Sequence, residues 1–191
     1  LLDHYPRPAI RTLMNPLSTH DTPRARTVLG VRRQVDGLEQ GNYQPTDEEL
    51  ARGGRGFQLG SLIQYTLPGF PSLYYGDEAG LTGFRDPWNR RCYPWGQEDQ
   101  ELLGFFKRLG QIRRKNAKAM REEIQFLSAA EGVAAYRRGG IVTAVCAADS
   151  VRTIDLPGRA ELLLPVGEVE LKDAALRLSP GSGAILRLME G

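Results

Sequence analysis

The residues best suited to chemistry in the first part of the chain are a histidine, an aspartate and an arginine within five positions, His20, Asp21 and Arg24. They offer hydrogen-bond donors, an anionic group and a fixed cation within one turn of chain. A structural interpretation is equally open, because aspartate is favoured as a helix N-cap with proline soon after it, and Asp21 precedes Thr22 and Pro23. The spacing alone therefore leaves a binding or catalytic role and a helix cap as alternatives.

A second candidate is the segment FRDPWNRRCYPWG at residues 84–96, which holds both tryptophans of the chain. Four of its 13 residues are aromatic, against 8% of the whole chain, and Asp86, Arg85, Arg90 and Arg91 lie among them. Flat apolar faces beside bidentate hydrogen-bonding groups suit a sugar, whose ring has a C–H face and a rim of hydroxyls. The alternative is a long loop whose aromatic residues fill a gap and whose arginines form surface ion pairs.

The adjacent carboxylates Asp77 and Glu78 lie between these two segments. They could form a pair of acid and base, but neighbouring side chains on an extended chain point in opposite directions. We therefore expect these two carboxylates to make hydrogen bonds that hold a loop.

The candidate segments follow two predicted strands joined by a helix. Residues 12–15 and 72–75 are short runs that predict strands buried on both faces. Residues 46–67 predict a helix because Thr46 and Glu49 form a capping box, and close packing against a sheet would explain its four glycines. Strand, helix and strand make one parallel βαβ unit, and ligands bind at the carboxyl ends of such strands.

The rest of the chain predicts another helix and then an all-β part. A second helix is indicated by apolar residues at helical spacing, namely Leu102, Phe105, Phe106, Leu109 and Ile112. The basic residues within 113–118 suit the end of this helix, and we interpret them as structural rather than as a nucleic-acid site. From residue 122 onward the apolar residues recur with a period of two between turn-forming residues, which predicts a small antiparallel sandwich of seven or eight strands.

Composition and charge exclude several classes of protein. The 191 residues are 41% hydrophobic and 25% charged, and no stretch reaches the roughly 18 apolar residues of a membrane span. Residues 1–121 hold 18 basic and 13 acidic residues, whereas residues 122–191 hold 7 basic and 10 acidic residues, and this difference in charge predicts two domains. Neither domain has the basic excess of a nucleic-acid-binding protein. Cys92 and Cys146 lie in different parts, which predicts reduced, structural thiols. We also expect a cytoplasmic location.

Three motifs carry a more specific signal. They are NPLSTHDTPR at residues 15–24, PGFPSLYYGDEAG at residues 68–80, and Asp86-Pro87 followed by Arg90-Arg91 and Pro94-Trp95. In this order and spacing they resemble the carboxyl-terminal part of the α-amylase family of glycoside hydrolases, in the branch of neopullulanase, cyclomaltodextrinase and maltogenic amylase. The resemblance implies an α/β plus all-β fold in which the closing βα units of a (β/α)8 barrel precede a small antiparallel β-sandwich.

The resemblance also implies roles for individual residues. Asp21 corresponds to the third acid of the family's catalytic trio, which hydrogen-bonds sugar hydroxyls and helps stabilise an oxocarbenium-like transition state. His20 would contact the same sugar, Asp86 and Arg90 would line the adjoining subsite, and Trp88 is a weaker stacking candidate. The implied substrate is an α-1,4-linked glucan, with α-1,6 linkages as a further candidate. No cofactor is implied, apart from calcium that many relatives bind through segments outside this sequence.

Two departures from the family pattern limit what the chain is expected to do. Thr19 stands where this branch usually has serine, which leaves the preferred glucan open. The family's nucleophilic aspartate and general-acid glutamate lie on earlier strands, and those segments are not in this sequence. We therefore expect the chain alone to be inactive and to self-associate through faces that other barrel strands would cover. The alternative function is a non-catalytic carbohydrate-binding or scaffold module.

Overall fold

The first part of the chain is built from four helices and two short strands. In the computed structural model, which describes residues 4–189, helix α1 (Arg7–Thr12) leads into strand β1 (Met14–Pro16). Helices α2 (Ala25–Gly30) and α3 (Asp47–Thr66) follow, then strand β2 (Phe70–Ser72) and helix α4 (Gln100–Lys115). A 3-10 turn (Ala119–Arg121) connects this part to the β-sheets.

Strands β1 and β2 pair in parallel, so the predicted βαβ unit is confirmed. The side chain of Gln64 on α3 fastens the pair, because its amide donates to the carbonyls of Asn15 at 2.7 Å and Ser72 at 3.0 Å. The predicted strand positions are wrong by about two residues, since Thr12 ends α1 and the chain turns after Ser72.

Burial of these strands on both faces is a second wrong prediction. Met14 is 69% exposed and Phe70 is 58% exposed. Helix α3 packs against one side of the two-stranded sheet, and no other layer among residues 4–189 covers the remaining face. Burial on both faces needs a layer on each side of a sheet.

Helix α3 begins as the sequence predicts, with a complete capping box. The Thr46 hydroxyl accepts from the Glu49 backbone N–H at 3.3 Å, and the Glu49 carboxylate accepts from the Thr46 N–H at 2.9 Å. Three of its four glycines, Gly53, Gly54 and Gly56, however, pack against α2 rather than against a sheet, and Gly60 lies against Leu17, directly after β1. A Cβ added to Gly53 would lie 2.1 Å from the carbonyl oxygen of Arg26, so the absence of a side chain allows the two helices to approach this closely.

Helix α4 packs an apolar face into the core, as its spacing predicts. Its buried residues are Leu102, Phe105, Phe106 and Leu109. The helix begins at an aspartate cap, where the Asp99 carboxylate accepts from the Leu102 N–H at 3.0 Å. At its other end Arg113 donates to the backbone carbonyls of Tyr65 and Gly69, so this basic residue is structural.

The second part of the chain is an antiparallel β-sandwich of eight strands, as predicted. A five-stranded sheet has the order β3-β4-β5-β10-β7, and a three-stranded sheet has the order β6-β9-β8. The strands are β3 (Ile124–Ala130), β4 (Val133–Arg138), β5 (Ile141–Cys146), β6 (Arg152–Asp155), β7 (Ala160–Val166), β8 (Val169–Lys172), β9 (Ala175–Leu178) and β10 (Ser182–Leu188). Fully buried leucines from both sheets, such as Leu176 and Leu186, fill the space between them.

The two parts of the chain share one core. Phe57 and Leu62 of α3 lie in the same buried cluster as Leu164 and Ile185 of the five-stranded sheet. Burial of this apolar surface ties the sandwich to the helices. Division into domains 1–121 and 122–191 therefore remains a prediction about organisation, because the core is continuous across residue 121.

No helix among residues 4–189 combines the length and hydropathy needed to cross a membrane.

The close approach of α2 and α3 predicts opposite effects for two Gly→Ala substitutions. Gly53→Ala should lower the free energy of unfolding by about 1–3 kcal/mol, because its Cβ would overlap the Arg26 carbonyl. Gly104→Ala is the matched control in α4, where a Cβ meets nothing within 4 Å, and it should raise stability by up to about 1 kcal/mol through helix propensity. Urea unfolding of both variants measures the difference, and equal effects would contradict this account of the helix contact.

Candidate active site

The four residues predicted to bind or act on a sugar lie together at the carboxyl end of β1. His20 Nε2 is 3.1 Å from a carboxylate oxygen of Asp21, and a guanidinium nitrogen of Arg90 is 3.6 Å from the other oxygen. The Arg90 Nε donates to Asp86 at 2.6 Å. The turn after β1 and the aromatic segment at residues 84–96 therefore meet at one place.

These groups are open to solvent. The side chain of Asp21 is 72% exposed, and those of His20, Asp86 and Arg90 are 64%, 54% and 44% exposed. Arg90 lies between two carboxylates, so each anionic oxygen has a cation nearby and still has free positions for hydrogen bonds. Hydroxyl groups of a ligand could donate to Asp21 and Asp86 and accept from Arg90.

The helix-cap interpretation of Asp21 is wrong. Helix α2 begins at Ala25 with Arg24 as its N-cap, four residues after Asp21, and the cap has no side-chain hydrogen bond. The hydroxyl of Ser18 instead accepts from the Ala25 N–H at 2.9 Å. Within the turn, the Thr19 N–H donates to the Thr22 hydroxyl at 2.9 Å. The Asp21 carboxylate is consequently not used by the start of the helix.

Arg24 is not part of the exposed site, although the sequence offers it as a binding cation. Its side chain is fully buried, and its Nη1 donates to Asp77 at 2.7 Å and to the Tyr75 carbonyl at 2.8 Å. Its Nε donates to the carbonyl of Asn89 at 3.0 Å. The guanidinium carbon lies 4.6 Å from the ring centroid of Tyr74 and 5.0 Å from that of Tyr75.

Asp77 holds loops, as expected for the carboxylate after β2. It is 4% exposed and pairs with Arg24. Burial raises the pKa of the Asp77 carboxyl, while hydrogen bonds from Ser18 and Arg24 act in the opposite direction. Because the guanidinium of arginine stays charged, the pair provides a permanent buried cation with one carboxylate beside it.

Asn89 is a site residue that sequence reasoning missed. It is fully buried, and the two N–H groups of its side-chain Nδ2 are shared among three carbonyls of the first turn, those of Thr19 at 3.2 Å, His20 at 2.8 Å and Thr22 at 2.8 Å. The one sequence signal is its position directly before Arg90-Arg91 in the third motif.

The two tryptophans of the aromatic segment have different environments. Trp88 packs on the loop at Gly41, where an added Cβ would lie 2.8 Å from the indole ring. Trp95 is 82% exposed, with its ring centroid 4.5 Å from that of Tyr93. Trp88 therefore fills space beside the loop at Gly41, and its stacking on a sugar stays a prediction. Trp95 presents an aromatic face to solvent.

Among residues 4–189, no group of three histidine, cysteine, aspartate or glutamate side chains is arranged to hold a metal ion. Calcium stays a prediction for segments outside this chain.

Comparisons with known proteins give many relatives, although no family model matches the sequence. An amylopullulanase of Thermoanaerobacter thermohydrosulfuricus is 37% identical over 138 residues, which is 72% of this chain and 9% of the relative. A cyclomaltodextrinase of Thermoanaerobacter pseudethanolicus is 29% identical over 186 residues, covering 93% of this chain and 29% of the relative. The chain thus spans less than a third of the length of these curated relatives.

Solved structures match nearly the whole chain. The debranching enzyme of Nostoc punctiforme, in crystals soaked with acarbose, superposes with a TM-score of 0.73 and 26% identity, covering 97% of this chain and 36% of that structure. A solved cyclomaltodextrinase superposes with a TM-score of 0.67 and 26% identity, covering 97% of this chain and 31% of that structure. Both matches include the helical part and the β-sandwich.

The buried ion pair predicts a large stability cost for removing one charge. Asp77→Asn should lower the free energy of unfolding by about 3–5 kcal/mol, because Arg24 would keep a buried charge without a counterion. Glu170→Gln is the control, since the Arg177–Glu170 pair is more than half exposed and should contribute no more than about 1 kcal/mol. Denaturant unfolding of both variants tests this, and a loss below 1 kcal/mol for Asp77→Asn would contradict the structural role of the pair.

Proposed function

The chain belongs to the α-amylase family of glycoside hydrolases, and we propose that it forms one wall of the active site of a retaining enzyme that hydrolyses α-glucans. The observation that carries the proposal is the contact of Asp21, beside His20, with Arg90, which in turn pairs with Asp86. This contact brings the predicted transition-state stabiliser to the aromatic segment, at the carboxyl end of a parallel strand.

Asp21 would act by accepting hydrogen bonds from sugar hydroxyls. During cleavage the sugar develops positive charge at its ring oxygen and anomeric carbon, so a nearby carboxylate favours the transition state over the ground state. Hydrogen bonds to sugar hydroxyls strengthen as that charge develops. His20 lies against Asp21 and would contact the same sugar.

Asp86 and Arg90 would line the neighbouring subsite. Their side chains pair at 2.6 Å and remain about half exposed, so hydroxyl groups can reach both. We propose maltooligosaccharides, cyclodextrins or pullulan as substrates, with α-1,4 linkages cleaved and α-1,6 linkages as a second candidate. Support comes from relatives named amylopullulanase, cyclomaltodextrinase and neopullulanase, and from the acarbose-soaked structural neighbour.

Two further carboxyl groups are required for this reaction. Retaining hydrolysis uses a nucleophile and a general acid about 5–5.5 Å apart, and a transition-state stabiliser cannot replace either of them. In the family these groups lie on strands before β1, in segments outside this sequence. The catalytic unit would therefore include this chain together with those segments.

The second candidate function is a carbohydrate-binding or scaffold module without catalysis. It is favoured by the openness of the site, because the side chain of Asp21 is 72% exposed. We also propose a cytoplasmic location, whichever function applies, because Cys92 and Cys146 are both free thiols.

Asp21→Asn separates the two functions when made in the enzyme that contains this segment and the other two carboxyl groups. The catalytic proposal predicts a loss of turnover on maltooligosaccharide of at least about 1,000-fold, because the amide removes the negative charge beside the transition state. The melting temperature should change little, since Asp21 makes no backbone hydrogen bond with its carboxylate and is mostly exposed. Retained activity with a large loss of stability would favour the scaffold module.

Self-association is proposed for the chain when it is isolated. Strands β1 and β2 form a two-stranded sheet, so each has an edge without a partner strand among the described residues. Three apolar side chains around this sheet, Leu13, Met14 and Phe70, are exposed. An unpaired edge beside exposed apolar side chains favours pairing with a second copy.

We predict that the isolated chain is catalytically inactive and oligomeric. Purified residues 1–191 should release no glucose or maltose from maltooligosaccharide, because two of the three acids lie elsewhere. Sedimentation at high concentration should show species larger than the 21.2 kDa monomer. Robust turnover would refute the need for the missing acids, and a clean monomer would refute the self-association.

A further inference from the structure

Asn89 joins the two segments of the site through buried hydrogen bonds. Its Nδ2 lies 3.2, 2.8 and 2.8 Å from the carbonyl oxygens of Thr19, His20 and Thr22. All three partners are carbonyls, which only accept, so the nitrogen of the amide must face them. The backbone of the turn that carries His20 and Asp21 is therefore held by the buried side chain of Asn89.

The backbone of Asn89 is held as firmly as its side chain. Its carbonyl accepts from the buried Nε of Arg24 at 3.0 Å, and Arg24 is paired with Asp77. The next residue, Arg90, reaches Asp21 and Asp86. A shift of Asn89 would thus change the position of the Asp21 turn and of Arg90 together.

We propose that Asn89 is a positioning residue for the proposed hydrolysis, which fixes the location of Asp21 without touching the sugar. The proposal rests on the proposed function of Asp21. Asn89 is fully buried, so its effect on a bound sugar must pass through the turn that it supports. Orientation of catalytic groups is sensitive to displacement, and a shift of 1 Å can cost on the order of 100-fold in rate.

The test is Asn89→Asp in the enzyme that contains this segment and the other two carboxyl groups. Aspartate has nearly the same size, but its carboxylate oxygen would face three carbonyl oxygens in place of a donor. We expect kcat/KM on p-nitrophenyl maltooligosaccharide to fall on the order of 100-fold per folded enzyme. Unchanged kcat/KM would overturn the proposal.

The matched control is Asn116→Asp, which makes the same chemical change at a half-buried asparagine whose amide also donates to a backbone carbonyl. Asn116 donates its amide to the Ile112 carbonyl at 2.7 Å, at the end of α4. This control should lose some stability and keep its kcat/KM. An equal loss of kcat/KM in both variants would show a general effect of destabilisation and overturn the positioning role.

A double substitution distinguishes positioning from a merely structural role. If Asn89 acts mainly through Asp21, adding Asn89→Asp to Asp21→Asn should lower kcat/KM by much less than the effect on the order of 100-fold expected in the parent enzyme, because the main positioned group is already gone. Full additivity would overturn the proposal. An active Asp21→Asn enzyme would instead refute the proposed function, so the two failures are distinguishable.

A milder variant keeps the test usable if Asn89→Asp does not fold. Asn89→Ser retains one hydroxyl donor, which can reach at most one of the three carbonyls. We expect a smaller loss of kcat/KM than for aspartate, with the same non-additivity in the Asp21→Asn background. A folded serine variant with unchanged kcat/KM would overturn the proposal.

Discussion

The arrangement of the site depends on one buried ion pair, that of Arg24 with Asp77. A fully buried guanidinium is costly unless its charge is paired, and hydrogen bonds from its N–H groups lower that cost further. Asp77 supplies the counter-charge at 2.7 Å, and the carbonyls of Tyr75 and Asn89 accept two further hydrogen bonds. Since these acceptors lie on the chain after β2 and Arg24 lies after β1, the pair forces the loops of neighbouring strands to meet.

The buried ion pair and the exposed site have different functions, since the first positions the backbone and the second can contact a ligand. Arg24, Asp77 and Asn89 are hidden from solvent and fix the backbone, whereas His20 and Asp21 stand on that backbone and face solvent. Precise recognition of a sugar requires polar groups that are accessible to solvent and are held in place by rigid buried residues. The proposed role of Asp21 as a stabiliser of the transition state rests on this placement and on the resemblance of its motif to the α-amylase family.

The parts of the fold with local causes could be predicted from the sequence. The capping box of Thr46 and Glu49 places the start of α3, and alternation with glycine turns marks the strands of the sandwich. The predicted position of β1 is two residues too early, because Thr12 ends helix α1, where its hydroxyl donates to the carbonyl of Ala9. A helix as short as α1 has no apolar periodicity by which the sequence could reveal it.

The parts of the site that depend on contacts distant in the sequence could not be predicted. Asn89 lies 67–70 residues after the carbonyls that it binds, and Arg24 lies 53 residues before Asp77. A motif indicates that Arg24 is a cation near Asp21, yet only the fold decides that it is buried and structural. The exposed candidates His20, Asp21, Asp86 and Arg90 could be proposed from their residue types together with the family resemblance, and their roles stay predictions.

The most direct measurement for the central claim is a crystal structure of the enzyme containing this segment with a bound maltooligosaccharide. We predict that an oxygen of Asp21 lies about 2.5–3.0 Å from a hydroxyl of the sugar at the cleavage point, with the Asn89 bonds to the turn intact. A sugar bound at the cleavage point with Asp21 out of hydrogen-bond reach, and the turn separated from Arg90, would contradict it.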